Sequence, residues 1–167
     1  MLVVLGLLIV ISFYIFLKSI RIVVNGQVLV VERFGKVRTI SKPGLTFIMP
    51  FADKVRAVVS LSDQTLKYKA ENVATRDRKK VNVDVSIVYI IEDPIKAVYE
   101  INDLNKGLEY IINTTLIAET STFLYNDLYL QRSTLLERIK EQLVAAEDGW
   151  GIKVKEVNIL DINLILK

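Results

Sequence analysis

The chain has 167 residues, a mass of 19.0 kDa, a net charge of +3, 51% hydrophobic residues and a mean hydropathy of +0.36. This length suits an N-terminal segment plus one folded body. It holds no cysteine and no histidine, which excludes disulfides, thiolate nucleophiles, His-ligated metals and any Ser/His/Asp arrangement, and suits a reducing compartment.

The chain opens on MLVVLGLLIVISFYIFL, residues 1 to 17, which carries no charge and is followed at once by Lys18 and Arg21. As a helix it reaches about 26 Å, at the short end for a hydrocarbon core of ~30 Å. It lacks the basic start and the small-residue cleavage site of a signal peptide, so it reads as an uncleaved membrane anchor over residues 1 to 19. Val3, Leu7, Val10, Phe13 and Phe16 are its lipid-facing residues. Lys18 and Arg21 flank it and hold the body on the cytoplasmic side of the cell membrane, as a single-pass or monotopic anchor. The charge distribution agrees: through Ile91 there are 14 Lys/Arg against 6 Asp/Glu, and beyond it 8 against 13. The basic half adjoins the apolar block, as attraction to anionic headgroups favours.

From residue 20 to Ile91 the pattern is that of strands. Asn25-Gly26 lies between two β-branched runs and predicts a hairpin. The next segment, KPGLTFIMPF at 42 to 51, is bracketed by Pro43, Gly44 and Pro50 and predicts a loop, yet it is too apolar for a solvated connection. Leu45, Phe47, Ile48, Met49 and Phe51 are therefore read as a second membrane contact, with Lys42 and Lys54 at headgroup depth. The alternative is that Leu45, Phe47 and Met49 face a sheet core. The clearest strand is VNVDVSIVYII, with Val81, Val83, Val85, Ile87, Tyr89 and Ile91 on one face and Asn82, Asp84 and Ser86 on the other.

At Asp93-Pro94 helical signals begin, because Asp caps well and Pro suits the first helical position. Asp103 predicts a second cap, before a stripe that includes Leu104, Leu108, Ile112 and Leu116. A third helix is predicted from Gln131 through Asp148, ending at Gly149. Its apolar side holds Leu135, Leu136, Ile139, Leu143 and Ala146, with Glu137, Lys140, Glu141 and Glu147 largely on the other; Leu135, Ile139 and Leu143 are candidate oligomer-interface residues, together with Trp150, which reads as a core or interface aromatic. A final strand covers GIKVKEVNILDINL, where the alternation slips near Glu156 and Leu160 and predicts a bulge. Strands, then helices, then a returning strand give an α+β class: an N-terminal membrane helix followed by a mixed, mainly antiparallel sheet with helices packed on it.

Four stretches, VVERFGKV at 30 to 37, KPGLTFIMPFADKV at 42 to 55, ATRDRKKVNVDVSIVYIIEDPIKAVYEI at 74 to 101 and DGWGIKVKEVNILDINL at 148 to 164, together resemble the stomatin, prohibitin and flotillin (SPFH, band 7) superfamily, in its stomatin-like branch. The resemblance implies an SPFH domain over residues 20 to 167 that works as a homo-oligomeric scaffold in membrane microdomains. It would organise lipid and regulate integral membrane proteins such as an NfeD-type protein, a membrane protease or a channel. Such proteins continue into a long charged coiled-coil helix, which is absent from this sequence: it ends at DINLILK, as a truncated form or a naturally short one.

The catalytic vocabulary is thin. Arg33-Phe34-Gly35-Lys36 lacks the first glycine and the hydroxyl residue of a phosphate loop, and Gly149-Trp150-Gly151 lacks the third glycine of a dinucleotide loop. Glu92-Asp93 and Glu147-Asp148 sit at predicted helix ends, where capping explains them. No sheet face gathers the basic and aromatic residues that RNA binding needs. The expectation is therefore no enzyme, no cofactor, no metal and no nucleic acid. The rival reading is a signal-anchored binding or sensor domain outside the cytoplasm.

Overall fold

Alternating β-branched residues make most of the first half extended, and the structure, a computed structural model describing residues 2–165, divides the chain into two units, Met1–Ser62 and Asp63–Lys167. Every ladder among the described residues is antiparallel, so the sheets are not mixed, and there are three of them.

In the first unit, α1 (Leu2–Ser19) is an 18-residue helix, as the uncharged apolar run predicts. Its end is fastened by Ser19, whose Oγ donates to Ile15 O at 2.8 Å. Eighteen residues reach about 27 Å at 1.5 Å each, below the ~30 Å of a hydrocarbon core. Among the described residues no helix is long and apolar enough to cross a membrane, so the expected span is not met there. The expectations for the Val3, Val10 and Lys18 side chains fall outside the described residues; Leu7, Phe13 and Phe16 are exposed.

β1 (Ile20–Val23) follows without a break and pairs with β4 (Gly44–Phe47) as a two-stranded ribbon. β2 (Gln27–Arg33) is the centre of a three-stranded sheet, between β3 (Lys36–Ser41) and β5 (Asp53–Ser60). Asn25-Gly26 is therefore a turn between two sheets and not a hairpin. Gly26, at φ +79°, supplies the turn, but the strand that follows finds its partners elsewhere. The two-residue hairpin is Phe34-Gly35, at φ +51° and +79°, joining β2 to β3 as a turn with two positive φ angles. Val23, Leu29, Val31 and Ile48 form the small core of this unit, with Val55 against it.

The second unit is a sheet of β6 (Gln64–Ala74), β7 (Lys80–Ile91) and β8 (Ile152–Leu164), with β7 central. Val81, Val83, Val85, Ile87 and Tyr89 face the helices, as the alternation predicts. Both slips read in the last strand are real: the β7–β8 register shifts between Asp84 and Val85 and between Val88 and Tyr89. A third irregularity falls in β6 between Ala70 and Val73, where Asn72 takes φ +58° and its N–H donates to Asn82 Oδ1 at 3.1 Å. The turn between β6 and β7 is pinned by hydrogen bonds of its own. Asp77 Oδ1 accepts from Thr75 Oγ1 at 2.6 Å and from Tyr125 N at 3.2 Å, and hydrogen bonding to Thr75 holds its carboxyl down at about 2.

α2 (Pro94–Tyr99) begins at Asp93, whose carboxylate accepts from Ile95 N and Lys96 N. α3 (Leu104–Thr120) begins at Asp103, which accepts from Lys106 N at 3.1 Å. α4 (Tyr125–Leu128) is a single turn that the sequence did not announce, and α5 (Arg132–Trp150) is the long closing helix. Leu108, Ile112 and Leu116 of α3 meet Leu135, Ile139 and Leu143 of α5 over the sheet. Each such burial is worth about 1.5–3 kcal/mol.

This corrects the reading of α5. Leu135, Ile139 and Leu143 are core residues and cannot form an oligomer interface. Trp150 also packs against the core; its ring lies where a Cβ on Gly107 would approach to 3.0 Å. Glu147 does not face water: it is buried, accepting from Val154 N at 2.7 Å and Lys153 Nζ at 2.9 Å, which raises the Lys153 pKa. The helix ends at Gly151 rather than Gly149. Gly151 takes φ +65°, and a Cβ there would lie 2.6 Å from Asp93 O.

Candidate functional site

The segment KPGLTFIMPF is half strand and half turn. Gly44–Phe47 forms β4 because its period-2 pattern matches that of β1: Ile22 pairs with Leu45 and Ile20 with Phe47 on one face, and Arg21 with Thr46 on the other. Ile22, Leu45 and Phe47 are 77%, 71% and 62% exposed. They do not face a sheet core, because a two-stranded ribbon has no second layer to receive them. Phe16 of α1 adds its ring, 6.3 Å from that of Phe47. Helix and ribbon thus present one apolar face, an arrangement that in water would be a liability.

Past the ribbon the chain turns. Ile48 N donates to Ser19 O at 2.7 Å, and the Ile48 side chain enters the small core at 7% exposure. Ile48 is therefore removed from the expected membrane contact, while Met49 and Phe51 project outward with Leu45 and Phe47.

Asp53 closes this turn from below. It is buried, accepts from Arg33 Nε at 2.7 Å and Nη2 at 3.2 Å, from Arg38 Nη1, and from Met49 N at 3.0 Å. The Arg33 fork, chiefly, holds its carboxyl down at about 2 and raises the Arg33 pKa in return. Glu32 and Arg56 pair nearby at 3.7 Å.

Between α1 and this turn lies a half-open cavity of about 510 Å³ lined by Tyr14, Ile15, Arg21, Ile48, Pro50, Phe51, Asp53 and Val55. Its size is that of a small-molecule site, about 300–1,000 Å³. The sequence signalled Arg21 as an anchor flank and Phe51 as a lipid contact. It gave no sign that α1 and β5 would enclose them, since the enclosing residues are up to 41 positions apart, Tyr14 to Val55. Ile22 was also missed, although the matched alternation of IRIVV and GLTFI carries its pairing with Leu45.

An α+β chain whose first unit turns a helix and a ribbon outward as one apolar face, and whose second unit packs helices on an antiparallel sheet, is the class defined here. The chain belongs to the SPFH domain / Band 7 family, matching it over residues 21–164. A stomatin homolog of Pyrococcus horikoshii is 32% identical over 151 residues, covering 90% of this chain and 56% of that protein. Stomatin-like protein 2, mitochondrial, of Homo sapiens is 29% identical over 135 residues, covering 81% and 38%. An uncharacterized protein of Mycobacterium tuberculosis is 27% identical over 162 residues, covering 97% and 42%. The chain thus spans about half or less of the length of these relatives.

Proposed function

We propose that the chain is a membrane-anchored scaffold of the stomatin-like type, which self-associates, organises lipid and regulates integral membrane partners without catalysing a reaction. The observation that carries the reading is the apolar face of Phe16, Ile22, Leu45 and Phe47, exposed on a unit that has its own core elsewhere. Membership of the SPFH family and the likeness to stomatin-like proteins support the scaffold role. The anchoring is monotopic. α1, with Leu7 and Phe13 outward, and the ribbon, with Met49 and Phe51 beyond it, sink together to the level of the acyl chains, with Arg21 among the headgroups. An NfeD-type protein, a membrane protease or a channel belongs to the same reading as the regulated partner, and the cytoplasmic side of the cell membrane as the place.

Flotation of the full chain with phosphatidylcholine vesicles tests the reading. The wild type should float, and the double variant L45D/F47D should lose most of its binding, since each Asp placed among acyl chains costs about 2.5–3.5 kcal/mol. Both proteins should keep the same helical circular dichroism. Equal flotation of the two would remove the ribbon from the membrane contact.

A further inference from the structure

The cavity beside α1 is chemically two-sided. Tyr14, Ile15, Ile48, Pro50, Phe51 and Val55 give it a largely apolar wall, and Arg21 and Asp53 are the charged residues lining it. Asp53 is not available to Arg21, because its oxygens are taken by Arg33, Arg38 and the Met49 N–H. Arg21 itself has no ion-pair partner among the described residues. Two guanidinium groups on one carboxylate already leave the floor of the cavity positive, and Arg21 adds to that excess. Glu32 does not offset it, being paired with Arg56. A cavity with a long apolar wall, a surplus of fixed positive charge and one unpaired guanidinium complements an anion carrying an apolar tail.

We propose that this cavity takes one anionic phospholipid from the bilayer, its phosphate on Arg21 and part of one acyl chain along Tyr14, Ile15, Phe51 and Val55. The proposal rests on the membrane reading above, because exposed Phe51, which that reading places among the acyl chains, also lines the cavity, and a lipid enters past it. Ile48, buried in the small core, forms the inner wall, while exposed Phe51 forms the rim. The site thus selects a lipid by charge at Arg21, whereas the apolar face itself accepts any lipid.

Photolabelling of the full chain tests this. Vesicles of equimolar phosphatidylcholine and phosphatidylglycerol carry a trace of either lipid with a diazirine in one acyl chain, and adducts are mapped by mass spectrometry. With labelled phosphatidylglycerol, adducts should concentrate on Tyr14, Phe51 and Val55. R21Q should reduce them roughly fivefold, the effect of one cation at the headgroups, and R21K should retain them. V55F, which narrows the cavity, should reduce them while flotation is unchanged. Adducts equal for the two lipids, or unchanged in both R21Q and V55F, would overturn the cavity while leaving the membrane contact standing, provided the protein floats. A chain that does not float overturns both.

Discussion

Asp53 shows how a single carboxylate sets the shape of the first unit. Its two oxygens bind the Arg33 fork, Arg38 and the Met49 N–H, so one side chain ties β2, β3 and the turn before β5 together. Its folded pKa of about 2 lies below the ordinary 3.8, so the stabilisation is present above the unfolded value and is lost as pH falls through the folded one. Between about pH 4 and pH 2 the turn at Met49 should therefore loosen, and the Met49 amide resonance should report it. In D53N the same resonance should be shifted already at neutral pH and should not titrate in that window. A Met49 amide that titrates identically in both proteins would detach the turn from Asp53. Nothing in the sequence distinguished Asp53 from other acids: its partners lie 20 and 15 residues away, and only the sheet brings them together.

At the scale of elements, local signals were legible and partners were not. Asp93 and Asp103 cap α2 and α3 as their positions before Pro94 and Leu104 predict, since a cap needs only its own next three residues. The 3.6-residue stripe of α5 is legible in the sequence, but its destination is not. A stripe reports that a face is buried without saying whether a core or a second copy buries it. The same limit explains Asn25-Gly26, whose turn formed while the flanking strands joined different sheets. I139A tests the corrected role of α5. It should cost about 2–5 kcal/mol in urea unfolding, as an emptied core site does, and leave the assembly mass in mild detergent unchanged. A lower mass with unfolding unaffected would return Ile139 to the interface. Placement of Gly151 instead of Gly149 at the helix end follows from contact. The Gly151 carbonyl accepts from Glu92 N and Asp93 N, both at 2.9 Å, and the backbone there leaves no room for a Cβ.

For the whole molecule, the chain divides after Ser62 into two units. The second unit carries the larger core, and in the first unit Val23, Leu29, Val31 and Ile48 form a smaller one beside an exposed apolar face. An apolar face is stable in the company of lipid, so the depth of the β1–β4 ribbon in a bilayer is the quantity to measure. The chain contains no cysteine, and a single nitroxide label can therefore be placed at will. Labels introduced through I22C, L45C, T46C and F47C, on the full chain bound to phosphatidylcholine vesicles, should alternate. Positions 22, 45 and 47 should become accessible to oxygen and shielded from a polar nickel reagent, while position 46, across the ribbon with Arg21, keeps more contact with that reagent. Labels at 45 and 47 that stay open to the polar reagent while the protein is vesicle-bound would contradict the account, and with it the assignment of the ribbon to the membrane.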